Sequence, residues 1–256
     1  SLGAVASAGF PLLLAIILTV LSAIASGFLI GRLMGLRTRM ALLVACGNAI
    51  CGNSAIAAVA PVIDADADDV ATSIAFTAVL GIAVVIAIPH ISNSLQMSSS
   101  AGGVLAGLTV YAVPQVIAAA GPLGGAAVQL GTLVKLVRVL MLGPVVAGLS
   151  LLMSSRSING SAEPVHASIF RLMPPFIIAF LGLSVVNSVG LIPVVLTETA
   201  HRASGLLTVL AMAGLGLGVD LRCVATAGPR VILVVILSLL VLGCTAFAVL
   251  AVLQIP

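Results

Sequence analysis

Residues 131–140 read GTLVKLVRVL and place two cations, Lys135 and Arg138, one helical turn apart inside a long apolar stretch. No Asp, Glu, Lys or Arg occurs from Val70 to Val134, and the next charged residue after Arg138 is Arg156. Side chains at positions i and i+3 lie on one face of a helix. Charge inside a bilayer is costly, so the pair marks a pathway or a binding site whose partner must be sought.

The composition around this stretch is that of a membrane protein. Hydrophobic residues make up 61% of the chain and charged residues 7%, whereas a soluble domain has about a quarter charged residues. We therefore predict an all-α, polytopic protein that forms a single transmembrane domain over residues 1–256 in a lipid bilayer. The net charge of +3 says little about partners, and nothing in the sequence suggests a surface for nucleic acid. The four cysteines fit neither a disulfide framework nor a zinc pattern.

Hydropathy predicts about eight membrane segments, two of them discontinuous. Their bounds are 10–30, 40–63, 70–91, 103–120, 126–153, 173–196, 204–219 and 231–255. The positive-inside rule places the loop with Arg32, Arg37 and Arg39 in the cytoplasm. Alternation then places the acidic loop, residues 64–69, on the opposite side.

An internal repeat suggests how these segments are related. Residues 4–14, AVASAGFPLLL, resemble residues 223–233, CVATAGPRVIL, and the two copies are separated by an odd number of predicted crossings. Antiparallel copies are typical of inverted-repeat secondary transporters. Residues 214–220 are too rich in glycine to predict an uninterrupted helix. Their counterpart before the first copy would precede Ser1, so we expect the complete protein to have upstream sequence.

The second segment contains the repeated tripeptide Cys-Gly-Asn in residues 46–55, CGNAICGNSA. Gly and Asn favour a helix break, and backbone freed inside a membrane must be satisfied by protein or by a water-lined cavity. The functional interpretation is a substrate cradle formed by Asn48, Asn53 and Ser54. The alternative is close helix packing through small residues.

For Lys135 and Arg138 the alternative to a functional role is snorkelling to the headgroups. Lys135 lies about ten residues, or about 15 Å, inside its segment, which favours a buried role facing an anion or a countercharge. Gln115 follows a kink predicted at Pro114 and is a further candidate for lining the substrate site. Asp220 is a candidate ligand of a coupling ion and equally an ordinary residue at the cytoplasmic end of a segment.

Motifs of common enzyme classes do not occur in the sequence. It contains no His-Glu-x-x-His, no Gly-x-Ser-x-Gly and no Walker lysine motif. We therefore expect no enzymatic activity, no metal site and no cofactor.

Four stretches resemble the bacterial family of proposed sulfate exporters. Residues 47–63 resemble its signature, and the pattern continues in residues 131–140, 187–191 and 211–221. The resemblance covers nearly the whole chain and implies an inverted-repeat carrier of about ten spans, related in fold to bile-acid and arsenite transporters. The chain departs from the family at residues 110–112, where an Ile-His-Asp-like motif is usual, and at Asn53, where a small residue is common.

Together these patterns predict a secondary transporter that exports a small anion, sulfate-like or an organic sulfonate or carboxylate, across the bacterial plasma membrane. Its substrate-binding residues would be Lys135, Arg138, Asn48, Asn53, Ser54 and Gln115. One alternative is a cation- or proton-coupled carrier of an organic solute, with Asp220 and Asn48 as coupling ligands. Another is a membrane scaffold or truncated remnant that transports nothing. Homo-oligomerisation is left open.

Overall fold

A computed structural model of the chain describes residues 2–154, 183, 186, 194–217 and 228–253. Within these ranges the regular elements are helices, as the apolar composition predicted. They are α1 (Leu2–Leu33), α2 (Thr38–Ala49), α3 (Asn53–Val59), α4 (Ala67–Ser94), α5 (Ser99–Thr109), α6 (Val113–Ala120), α7 (Gly125–Leu140), α8 (Leu142–Ser154), α9 (Val194–Leu217) and α10 (Gly228–Leu253), with a 3-10 turn at Gly121–Leu123.

Four helical stretches in the described ranges are long and apolar enough to cross a membrane. They are Gly9–Leu33, Ala67–Ser94, Gly125–Met153 and Gly228–Leu253. The third combines α7 with α8. The prediction of a polytopic, all-helical membrane protein is confirmed, while the count of eight segments is not.

Residues 38–59 form a hairpin, here called the first hairpin. The Arg37 guanidinium lies 2.9 Å from an Asp66 oxygen and 2.7 Å from an Asp69 oxygen, and Arg39 lies 3.0 Å from Asp64. A straight helix over 38–59 would separate these groups by about 30 Å. Helix α2 therefore enters the bundle, the chain reverses at residues 50–52, and α3 returns to the same end, which we call the arginine end.

Residues 99–120 form a second hairpin that enters from the opposite end. The Ser99 hydroxyl donates to the Leu123 carbonyl at 2.6 Å, so the start of α5 lies beside the residues that follow α6. Helix α4 crosses the bundle between the two hairpins. The second hairpin thus starts and finishes at the other end of the bundle, called the turn end after residues 121–124.

The predicted crossings at 40–63 and 103–120 are therefore wrong, and so is the placement of residues 64–69 opposite the arginines. Hydropathy reports only the length of an apolar stretch. A stretch of this length can form one helix that crosses the membrane, or a hairpin of two shorter helices that enters and leaves at the same end. The helix break predicted within 46–55 is confirmed, because α2 ends at Ala49 and α3 begins at Asn53.

Helix α9 corrects the prediction for the glycine-rich segment. It runs from Val194 to Leu217 without a break, so Gly214 and Gly216 do not interrupt it, and residues 198–202 are helical rather than a loop. Asp220 lies outside the described residues, as do the second copy of the repeat before Gly228 and most of the predicted segment 173–196.

Helices α1 and α10 pack against each other and run antiparallel. Buried apolar clusters join the start of one helix to the end of the other: Leu12 and Ile16 with Ala246 and Leu250, Val20 and Ala23 with Leu242, and Phe28 and Ile30 with Val231 and Val234. Gly9 and Gly228, which are equivalent in the sequence repeat, both have a positive φ, 58° and 79°. Each therefore turns the chain just before a long apolar run.

Candidate functional site

The tips of the two hairpins meet inside the bundle. Gly52, in the first tip, has φ 61° and ψ −120°, and a Cβ there would lie 3.2 Å from the Cβ of Tyr111 in the second tip. The backbone of the second tip is extended at Val110 and Ala112, and the next helix, α6, has Pro114 in its first turn. The Gln115 side-chain oxygen accepts from the Ala112 N–H at 3.1 Å and so stabilises the beginning of α6.

Helix α7 brings Lys135 and Arg138 to the two tips. Both residues are 0% exposed, and they lie ten and thirteen residues after Gly125 in the 29-residue span Gly125–Met153. The burial of both side chains is incompatible with snorkelling to the headgroups. The helix begins at Gly125, so Lys135 lies ten residues into it, as predicted.

Arg138 joins both hairpins through main-chain carbonyls. In the first hairpin it donates to Asn48 at 3.1 Å and to Ala49 at 2.8 and 3.1 Å. In the second it donates to Gly107 at 2.9 Å and to Val110 at 3.3 Å. These contacts occupy the five N–H donors of a guanidinium group.

Lys135 makes the same kind of bridge. Its ammonium donates to the carbonyl of Ile50 in the first tip and, at 2.9 Å, to that of Val110 in the second. Val110 therefore accepts from both cations.

The two cations complete the C-terminal end of α2. The last carbonyls of a helix lack partners in the helix itself. Here Cys46 and Gly47 accept from the main-chain N–H groups of Ile50 and Gly52, and Arg138 serves the next two carbonyls. A helix C-terminus carries partial negative charge, so the buried cations stabilise the broken ends of both α2 and α5.

Side chains add a second connection between the hairpins. The Tyr111 hydroxyl donates to Asn48 Oδ1 at 3.0 Å, and Asn48 Nδ2 donates to the Ser238 hydroxyl of α10 at 3.0 Å. Nearby, the Thr77 hydroxyl of α4 donates to Asn53 Oδ1 at 2.7 Å. Asn48 is thus a buried link between both hairpins and α10.

The predicted site residues separate into two groups. The structure brings together Lys135, Arg138 and Asn48, whose main-chain carbonyl is one of the acceptors of Arg138. Asn53 is half-buried against α4, Ser54 is exposed, and the Gln115 side-chain oxygen is used within its own helix. Asp220 lies outside the described residues. Substrate binding by these residues stays a prediction.

Several participants in this junction were not predicted as site residues. Ser238 interrupts the apolar run of α10, and Tyr111 is the one tyrosine of the chain, so both offered a signal in the sequence. The carbonyls that accept from the cations offered none, because every residue has one.

Within the described ranges the junction contains no carboxylate partner for the cations. The ion pairs found there all lie at the arginine end and involve Arg37 and Arg39. The carbonyl dipoles stabilise Lys135 and Arg138 but carry no full charge, so the described part of the junction places two basic side chains at the hairpin tips without an acidic partner.

The comparisons with known proteins identify the family. The family model described as "Conserved hypothetical protein 698" matches residues 1–235. A UPF0324 membrane protein of Bradyrhizobium diazoefficiens is 50% identical over 242 residues, which cover 94% of this chain and 68% of the relative. The corresponding protein of Brucella suis is 53% identical over 244 residues, with 95% and 71% covered. A more distant relative from Corynebacterium glutamicum is 34% identical over 227 residues, with 88% and 64% covered.

The names of these relatives state a membrane location and give no substrate. No solved structure matches the chain. The match to most of the chain shows that this protein belongs to the conserved hypothetical protein 698 family of UPF0324 membrane proteins.

Proposed function

We propose that this protein is a secondary transporter that moves a small oxyanion, sulfate-like or an organic sulfonate or carboxylate, across the bacterial plasma membrane. One observation carries the proposal. Two fully buried cations, Lys135 and Arg138, hold together the tips of two hairpins that enter from opposite ends, and in the described ranges they contact no carboxylate.

The charge at the junction favours an anionic substrate. Removing a cation from water is expensive unless it is paired, and intramembrane charge marks a substrate pathway by default. Carbonyl groups satisfy the N–H donors of the two cations but leave their net charge in place. An oxyanion would neutralise that charge and accept charge-assisted hydrogen bonds, which are stronger than neutral ones.

The arrangement of the hairpins favours transport over mere binding. The first hairpin opens toward the arginine end and the second toward the turn end. Movement of either tip would expose the junction to one side of the membrane while the other tip stays closed. Broken helices that meet at the middle of the membrane are the usual substrate sites of secondary transporters.

The repeat supports the same class of protein. Helix α1 contains the first copy and α10 begins within the second, at Gly228. The two helices pack antiparallel and start their apolar runs at equivalent glycines with positive φ. Antiparallel copies are what an inverted repeat requires.

The arginine end is the proposed cytoplasmic end. Arg32 lies in the last turn of α1 there, Arg37 and Arg39 follow it, and Arg230 lies in the first turn of α10 at the same end. The described loops at the turn end, residues 95–98 and 121–124, contain no Lys or Arg. The positive-inside rule counts Lys and Arg and gives little weight to Asp, so residues 64–69 do not oppose this orientation. Export as the direction of transport follows from the family resemblance.

Uptake of labelled sulfate and of an organic sulfonate into proteoliposomes tests the proposal. We expect wild-type protein to transport at least one of them and Lys135→Met to lower the rate at least tenfold, because the buried charge is lost. Arg32→Met, which removes an exposed cation at the arginine end, is the matched control and should transport like wild type. Unchanged transport by the double variant Lys135→Ala with Arg138→Ala would rule out the site.

A further inference from the structure

The donors of the two cations are used to different extents. Arg138 makes five contacts for its five N–H donors. Lys135 makes two contacts within the described part of the chain, to Ile50 and Val110, whereas the protonated amine that would bind an anion carries three N–H donors. Because Lys135 is 0% exposed, bulk solvent does not supply a partner for a third donor.

Thr132, one turn before Lys135 on α7, has a hydroxyl that is buried and has no hydrogen-bond partner. Buried threonines elsewhere in the bundle donate to the carbonyl four residues earlier: Thr19 to Ala15 and Thr109 to Leu105, both at 2.7 Å. Thr132 does not make this local bond. A buried hydroxyl without a partner carries a free-energy penalty and calls for an explanation such as a ligand or a water molecule.

The helix places the two unused donors on the same face. Residues at i and i+3 are neighbours on a helix surface, and long side chains lean toward the helix N-terminus. Lys135 and Thr132 therefore occupy neighbouring positions on α7, and a small group between them could accept hydrogen bonds from both.

We propose that Thr132 is a further substrate-binding residue, whose hydroxyl joins the remaining Lys135 N–H in binding oxygens of an oxyanion. This inference rests on the proposed function. It assigns different roles to the two cations. Arg138 connects the two hairpins through hydrogen bonds, whereas Lys135, together with Thr132, contacts the substrate. It also predicts selectivity, since a sulfate or sulfonate oxygen accepts directional hydrogen bonds from both donors and a chloride ion lacks that geometry.

Binding of labelled sulfate to the purified full-length protein, with chloride as competitor, tests the assignment. We expect Thr132→Val to weaken sulfate binding about tenfold, the loss of one hydrogen bond to a charged group, and to change chloride competition little. Thr132→Ser keeps the hydroxyl and should bind sulfate like wild type. Thr19→Val removes a hydroxyl that already has a partner and is the matched control, with unchanged sulfate affinity.

The melting temperature without ligand separates a binding role from a structural one. Because the Thr132 hydroxyl has no partner in the protein, Thr132→Val should melt at the wild-type temperature or above it. A lower melting temperature would assign the hydroxyl to the fold and overturn the inference, as would wild-type sulfate affinity in Thr132→Val. A wild type that binds neither sulfate nor sulfonate would overturn the proposed function, and the assignment of Thr132 with it.

Discussion

Arg138 can join two hairpins because its guanidinium presents five N–H donors in a rigid plane. The donors are divided between Asn48 and Ala49 on one side and Gly107 and Val110 on the other. A lysine keeps the charge but offers three donors around a single nitrogen. At this position, therefore, the shape of the donor group matters in addition to its charge.

We predict that Arg138→Lys lowers the free energy of unfolding by roughly 3 kcal/mol, because buried carbonyls at the ends of α2 and α5 lose their donors. Denaturant titration of the purified protein in detergent measures this change. Arg32→Lys is the control, since Arg32 is exposed and donates to one carbonyl, that of Leu36. Equal stability of the Arg138→Lys variant and the wild type would show that the charge alone holds the tips.

Substitution of Lys135 should act on transport more than on folding. Of its two acceptors, Val110 also accepts from Arg138, so only the Ile50 carbonyl is left without a donor when Lys135 is replaced. We expect Lys135→Met to lower the free energy of unfolding by about 1–3 kcal/mol while it abolishes most sulfate uptake. Uptake and denaturant titration on the same preparation separate the two effects. Loss of stability larger than that of Arg138→Lys would reverse the proposed division of roles.

At the scale of the elements, the second hairpin is held against α7 by contacts that leave no room for side chains. A Cβ on Gly107 would lie 2.5 Å from the Gly131 carbonyl oxygen, and one on Gly103 would lie 2.5 Å from that of Ala127. This close approach fixes α7 beside the second hairpin and so places Lys135 and Arg138 within reach of the Val110 carbonyl.

We predict that Gly107→Ala separates α5 from α7 and lowers the free energy of unfolding by about 1–3 kcal/mol, the usual cost of overpacking. Sulfate uptake should fall as well, because the cations move away from the second tip. Gly148→Ala is the control: no described atom lies within 4 Å of a Cβ there, and alanine is favoured over glycine in a helix. Similar unfolding curves for the two variants would mean that α5 and α7 do not need this close approach.

The sequence was enough to predict where these elements break but not which way the chain continues. Gly52 and Asn53 are poor helix formers in an apolar segment, and α2 does end just before them. Whether the chain turns back after the break depends on contacts between residues that are distant in sequence, such as Arg37 with Asp66 and Ser99 with Leu123. The partners of Lys135 were unpredictable for a related reason, since main-chain carbonyls carry no residue identity.

At the scale of the whole molecule, the hairpins close at opposite ends by different chemistry. Ion pairs of Arg37 and Arg39 with acidic residues close the first hairpin, and the hydrogen bond between Ser99 and Leu123 closes the second. Exposed ion pairs contribute little to stability individually, so the first hairpin is held mainly by its buried contacts with α1, with α4 and with the cations of α7. Opening of either hairpin must therefore disturb the shared junction.

Two re-entrant hairpins make a prediction about sidedness that eight crossings do not share. In a cysteine-free background, with Cys46, Cys51, Cys223 and Cys244 replaced, single cysteines are introduced by Arg39→Cys, Asp64→Cys and Leu95→Cys. Residues 39 and 64 lie at the arginine end, and the exposed Leu95 follows α4 at the turn end. A membrane-impermeant maleimide applied to intact cells and to inverted vesicles should therefore label 39 and 64 from one side and 95 from the other.

The ion pair lost in two of these variants is exposed, so they should fold normally. An arrangement of eight crossings would instead place 39 with 95 and leave 64 alone, and that labelling pattern would contradict the hairpins.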